Sequence, residues 1–257
     1  MDLFFLDFWF PFILIFVRVL AFIFALPFFS WRGIPAVIRT FMALTLTYLL
    51  LLGWEGQVYI PDSDLELILI LGREAFTGLL LGYLVYFYLS VFLMSGQLMD
   101  HKAGLMMAGS FDPLFASQVT IIGQFFYFLA IVFYLTVNGH HLLFFSFKES
   151  LVLIPIGSSF ATASVIWEFI RIVPRMFLLA FQIAAPVVVI LWTTDIALGL
   201  LSKTVPQIHV FIVGLPLKIA LVMLVFFMML PLLGGVMGNV FDLLAKDFML
   251  IMRSWTT

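Results

Sequence analysis

The chain has no cysteine. Disulfides, thiolate metal sites and cysteine nucleophiles are excluded. Charge is scarce: Asp, Glu, Lys and Arg make up 10% of residues, against about a quarter in soluble domains. The formal net charge is −2, so no basic excess is present to recruit nucleic acid. The signatures HExxH, GxSxG, the phosphate-binding loop and the dinucleotide fingerprint are missing as well. The start lacks the positive region of a signal peptide and carries Asp2 and Asp7 instead. Its first apolar run is followed by Trp31 and Arg32 rather than by a small-residue cleavage site, so that run is expected to be retained.

What is present is apolar. Hydrophobic residues make up 65% of the chain, and mean hydropathy is +1.23. These values indicate an all-α integral membrane protein with almost no soluble portion, since helices satisfy every backbone group inside lipid. A first span is expected over Phe8–Phe29, with Pro11 in its first turn and Arg18 near its middle. The short loop Ser30–Pro35 carries Arg32, with Arg39 just after it. A second span follows over Ala36–Gly53. The next loop, Trp54–Glu66, holds Glu55, Asp62, Asp64 and Glu66 and no base. Positive residues favour the cytoplasmic side, so Arg32 and Arg39 are placed inside, with the acidic loop and the N-terminus outside.

The later segments are too long for simple spans. Leu65–Met99 would reach roughly 50 Å as a helix, against a hydrocarbon core of about 30 Å. It must tilt, break or project. Gly78 and Gly82 form a GxxxG pair that favours close helix approach. Ile121–Phe147 is interrupted by Asn138, Gly139, His140 and His141, and Lys148–Phe160 reads as a turn around Pro155 and Gly157. Ala163–Leu200 should kink at Pro174 and Pro186. Ser202–His209 is a short polar turn. Val210–Met252 holds Lys218 and a second GxxxG, Gly234 to Gly238. Its tail from Asn239 to Arg253 is amphipathic, with Phe241, Leu244, Phe248 and Ile251 on one face; it suits a membrane interface or a partner helix. Six segments put both termini on one side and Lys203 inside.

Between the third and fourth segments lies Met94–Thr120. Apolar residues alternate there with Gly and small polar residues. Gly96, Gly104 and Gly109 loosen the backbone, and Pro113 blocks helix continuation. Two readings stand side by side: a plug or gate hung between rigid helices, or an interhelical loop with no role of its own, tolerated because protein buries it.

Charges are spread over nearly every segment: Arg18, Arg73, Glu74, Glu168, Arg171, Arg175, Asp195 and Lys218. Lipid makes each of them costly, so most should face protein or water, which points to an oligomeric assembly. Arg73 and Glu74 are adjacent and point to different sides of a helix, so each needs a partner elsewhere. Glu168 lies three residues from Arg171, and Arg171 four from Arg175. Glu74 and Asp195 fit either interhelical ion pairs or a proton pathway. The latter would belong to a secondary transporter, a class that usually shows internal repeats; none is evident. His140 and His141 are adjacent and cannot share a helix face as metal ligands would. His101 and His209 are isolated. No metal site, cofactor or catalytic residue is expected.

Several short motifs, in order, resemble one family. They are Pro11, Arg18, Pro27 to Ser30 and Gly33 to Pro35; Gly72 to Gly82, with Glu74, Gly78 and Gly82 as E-x-x-x-G-x-x-x-G; and Gly96, Gln97, Asp100, Gly104, Asp112 and Pro113. Further on are Asn138 to His141, Ile154 to Gly157, Pro206, Gln207, Val210, Phe211 and Gly214 to Lys218. Together they resemble the FliR/SctT family of type III export-gate membrane subunits, nearest the flagellar branch. His209 departs from the Asn common in the family, and the plug-like stretch is short and hydrophobic.

The resemblance implies long kinked helical hairpins packed in a helical pore assembly. A FliP-like portion, residues 1–162, contains the central plug loop. A FliQ-like hairpin with the amphipathic tail spans residues 163–257. The implied partners are FliP-like, FliQ-like and FlhB-like subunits, unfolded secreted substrates and membrane lipid. The implied place is the bacterial inner membrane within the flagellar basal body, with much of the complex lifted toward the periplasm. On this resemblance Leu105, Met106, Met107, Phe111, Leu114 and Phe115 form the plug. Arg73, Glu74, Glu168, Arg171 and Arg175 are interhelix or intersubunit charges. Lys203, Pro206, Gln207, Val210 and Phe211 lie at the cytoplasmic entrance, beside the FlhB-like subunit.

Overall fold

The structure, a computed structural model, describes residues 2–29, 34–54, 56, 61, 63–106, 120–157, 163–204 and 210–255, without the side chains of 2–7, 163 and 210–212. Among them are the helices α1 (Asp2–Ala25), α2 (Ala36–Leu52), α3 (Asp64–Ala103), α4 (Ile121–Thr136), α5 (Gly139–Leu153), α6 (Ala163–Thr204) and α7 (Val210–Ser254). Windows in α1, α3, α6 and α7 are long and apolar enough to cross a membrane, and α4 with α5, bent by 72°, would make a fifth crossing. The protein is an all-α integral membrane protein. Of the two expected simple spans, the first falls in α1, whereas the second, α2 with 17 residues, is a shorter apolar helix.

Several boundaries differ from those expected, each for a local reason. Helix α1 begins at Asp2, so Pro11 lies inside the helix rather than in its first turn. Helix α3 begins within the expected acidic loop: Ser63 Oγ accepts from the Glu66 backbone N–H at 3.3 Å, and Asp64 and Glu66 sit in its first turn. Carboxylates there complement the positive end of the helix dipole. The same helix runs unbroken for 40 residues and takes up Met94–Ala103, so Gly96 is helical. Asn138 adopts a left-handed conformation (φ 58°) between α4 and α5, a geometry Asn tolerates better than most residues. Helix α5 then continues to Leu153, so Lys148–Leu153 of the expected turn are helical. Helix α6 continues through Pro174 and Pro186.

The chain divides into two compact units, neither contiguous in sequence. One comprises Met1–Tyr88, Asn138–Val173 and Phe241–Thr257; the other comprises Leu89–Val137 and Pro174–Val240. In the first, Leu14, Ile15, Leu81, Val85, Leu244, Phe248 and Ile251 are buried, and the Phe22 and Phe147 rings lie 4.8 Å apart. The amphipathic end of α7 is thus an internal packing element of this unit, with its apolar face covered by the chain itself. In the second unit Phe126 stacks on Phe226 at 5.5 Å, over a core that includes Phe92, Ala130, Leu191 and Val222.

Candidate functional site

In the first unit the largest buried charged side chain is Arg18. It stands in the middle of α1, 1% exposed, and its Nε donates to Glu74 Oε2 of α3 at 2.5 Å. Its Nη1 donates to the backbone oxygens of Ser150 at 3.2 Å and Ile154 at 3.0 Å, at the end of α5. The other Glu74 oxygen accepts the Gly157 backbone N–H at 2.9 Å. Gly157 has φ +76°, a conformation that costs glycine little. One ion pair therefore joins α1, α3, the end of α5 and the turn after it, and gives the Ile154 carbonyl just past the end of α5 a partner. Directly beside it α1 and α3 approach closely. A Cβ on Gly78 would fall on the Arg18 backbone oxygen, and one on Gly82 would lie 2.5 Å from the Ala25 Cβ. Elsewhere in the same unit the Tyr88 hydroxyl donates to Asp247 Oδ2 at 2.6 Å, with both residues buried.

In the second unit the polar contacts gather where α3 ends. Asp100 is fully buried, and its two oxygens accept the backbone N–H groups of Ile122 (3.2 Å) and Gly123 (3.1 Å). One turn earlier the backbones of Gly96 and Gly123 meet so closely that a side chain on Gly96 would overlap Gly123. Gly104 then turns the chain with φ +80°, its N–H donating to the His101 oxygen at 3.2 Å. The start of the central loop, Leu105 and Met106, is half-buried. Lys102 Nζ lies 5.4 Å from the Trp192 ring centre, a cation–π distance. Lys218 pairs with Asp195 on the partly exposed faces of α7 and α6.

Residues 9–244 match the family described as bacterial export proteins, family 1. The chain belongs to that family. Among its curated relatives is the flagellar biosynthetic protein FliR of Bacillus subtilis, 34% identical over 235 residues that cover 90% of each chain. FliR of Escherichia coli is 24% identical over 233 residues, 89% of each chain. The Yop proteins translocation protein T of Yersinia pestis is 26% identical over 168 residues, 65% of this chain and 64% of its own.

The residues singled out in the sequence are distributed unevenly over this geometry. Glu74 lies in the Arg18 network, and Arg73 beside it is half-buried. Glu168 and Arg171 pair within α6 at 2.7 Å on an exposed face, and Arg175 is exposed as well. Lys203 is exposed in the last turn of α6. Met107, Phe111, Leu114, Phe115, Pro206 and Gln207 lie outside the described residues; Val210 and Phe211 open α7, with side chains not described. Among the described residues no group of His, Asp or Glu is arranged to hold a metal ion. The role of Asp100 escaped sequence reasoning: its bonds close across a separation of more than twenty residues, and the only local sign is an acid in the last turns of an apolar helix. Arg18 as the partner of Glu74 was missed likewise, although both stood out as charges in apolar runs.

Proposed function

We propose that this chain is a structural pore subunit of a flagellar type III protein export gate. With FliP-like and FliQ-like subunits it forms a channel for unfolded flagellar proteins across the inner membrane, and an FlhB-like subunit associates with the complex. Residues 1–162 serve as the FliP-like portion and residues 163–257 as the FliQ-like hairpin. The single observation that carries the reading is the family match from residue 9 to 244, with flagellar relatives aligned over nine-tenths of the chain. The flagellar branch is favoured over the injectisome branch because the Yersinia relative covers about two thirds.

The geometry supports a structural role. Polar side chains in the described helices fasten one helix to another: Arg18 with Glu74, Tyr88 with Asp247, Asp100 with the start of α4, and Asp195 with Lys218. Those partners give Glu74 and Asp195 a use other than carrying protons. Large apolar side chains remain exposed along α6 and α7, including Trp167, Phe177, Phe227, Met228 and Leu232. Surfaces of this kind suit lipid or neighbouring subunits. The central loop from Leu105 through Phe115 is the plug, closing the channel by excluding water with apolar side chains, as hydrophobic gates do. Lys203 to Phe211 lies at the cytoplasmic entrance.

Purification in mild detergent tests the assembly. The reading expects a large complex containing FliP-like and FliQ-like chains. A monomer whose thermal stability shifts with a small substrate would replace it with the transporter reading.

A further inference from the structure

We propose that Asp100 is a positioning residue of the gate: it caps α4 from α3 and so fixes the two points where the central loop leaves and rejoins the helices. The proposal rests on the reading of the chain as a pore subunit and adds a residue to it. The start of α4 is where the argument begins. A helix leaves its first backbone N–H groups without partners, and a side chain at its own N-cap normally supplies one. Here the N-cap residue, Thr120, makes no such bond. Asp100 does it instead, from another helix, and with both oxygens: one on Ile122 and one on Gly123.

A carboxyl group whose two oxygens accept N–H groups at a helix N-terminus satisfies donors the helix leaves open and lies favourably in the helix dipole. The side chain is fully buried, so water cannot replace these bonds. The surrounding backbone holds the geometry. Gly96 lies one turn before Asp100 and touches Gly123, and a Cβ on Gly123 would in turn lie 2.9 Å from the Leu93 oxygen. Two glycines thus bring α3 and α4 close enough for the short Asp side chain to reach. On the other side of the clamp, Gly104 turns away from α3 in the left-handed region, and a Cβ there would meet the Leu215 side chain at 2.7 Å. That turn is seated against α7. The departure point at Gly104 and the return point at Ile121 are therefore both held, with Asp100 bonded to the return helix at its origin.

Three consequences can be measured in the assembled complex, using the full chain. Replacing Asp100 by Ala removes both bonds and leaves complex recovery near wild type, because the contacts with other helices are untouched. Backbone hydrogen exchange over residues 121–124 should rise by about tenfold, the scale of a lost helix cap. Ion leak through the gate, or its export rate, should change with it. Asp100→Asn, which keeps one acceptor oxygen, should fall between the two. Unchanged exchange over 121–124 in D100A overturns the proposal. So does faster exchange with unaltered leak and export, since the cap would then be merely structural. Loss of assembly in both variants overturns it too, because Asp100 would then be holding the subunit together. Deleting residues 106–115 separates this idea from the plug: a leaky deletion beside a tight, normally exporting D100A removes Asp100 alone, whereas a tight, normally exporting deletion removes the plug and with it any role of Asp100 that acts through the loop.

Discussion

The Arg18–Glu74 pair shows how a charge is kept inside an apolar chain. Each partner is nearly without exposure, and the contacts around the pair are hydrogen bonds to the other charge, to the Ser150 and Ile154 carbonyls or to the Gly157 amide. Breaking such a pair from one side strands the other charge, typically at about 3–5 kcal/mol. Glu74→Ala is expected to lower recovery of the assembled complex sharply, measured by yield from detergent. An apolar replacement of both residues together should recover part of that loss. Full assembly of E74A with only a proton-coupled activity missing would speak for a transporter instead. Asp195 and Lys218 provide the contrast. They are 42% and 22% exposed, so Asp195→Asn should cost no more than about 1 kcal/mol, read from the thermal midpoint of the purified protein. In the sequence all four residues look alike, as charges set in apolar runs. Burial separates them, and burial depends on which helix lies opposite, which no single segment encodes.

At the scale of helices, the same short motif has two outcomes. Gly78 and Gly82 lie where α1 crosses α3, with no room for a side chain. Gly238 has nothing within 4 Å of a Cβ, and Gly234 meets the Phe133 ring only at an ordinary 3.7 Å. Gly78→Leu is therefore expected to disrupt the first unit, while Gly238→Ala should be tolerated or even stabilise α7 by up to about 1 kcal/mol through helix propensity. Thermal unfolding of the two single variants checks both. The helical segments themselves were legible, because hydropathy and Pro and Gly punctuation survive in the sequence: α2 ends at Gly53, and Asn138 marks the bend between α4 and α5. The central stretch was less so. Gly96 looks like a hinge in a string of small residues, yet it is a contact point inside a continuous helix, because Gly123 of α4 occupies the space a side chain would need. The acidic loop was misjudged for a related reason, since Asp64 and Glu66 serve a helix start as well as they serve a loop.

For the whole molecule, topology and gating are the claims to test. The chain contains no cysteine, so any introduced thiol is unique. A cysteine in place of Lys203 should react with an impermeant thiol reagent from the cytoplasmic face alone, and should crosslink to the FlhB-like subunit when that subunit is present. Labelling from the periplasmic face would reverse the topology; cytoplasmic labelling without the crosslink would remove the partner. The order of the family motifs carried the assembly reading from sequence, while the buried pins that hold the subunit together emerged only with the fold, as Tyr88 and Asp247 illustrate from two stretches far apart in the chain. The central claim is that this subunit is part of a pore and that its own central loop closes it. The most direct measurement is the ion conductance of membranes carrying the assembled gate with residues 106–115 deleted. The plug reading predicts intact assembly and a leak to small ions that the wild-type gate does not show. Wild-type conductance in a correctly assembled deletion complex would contradict it.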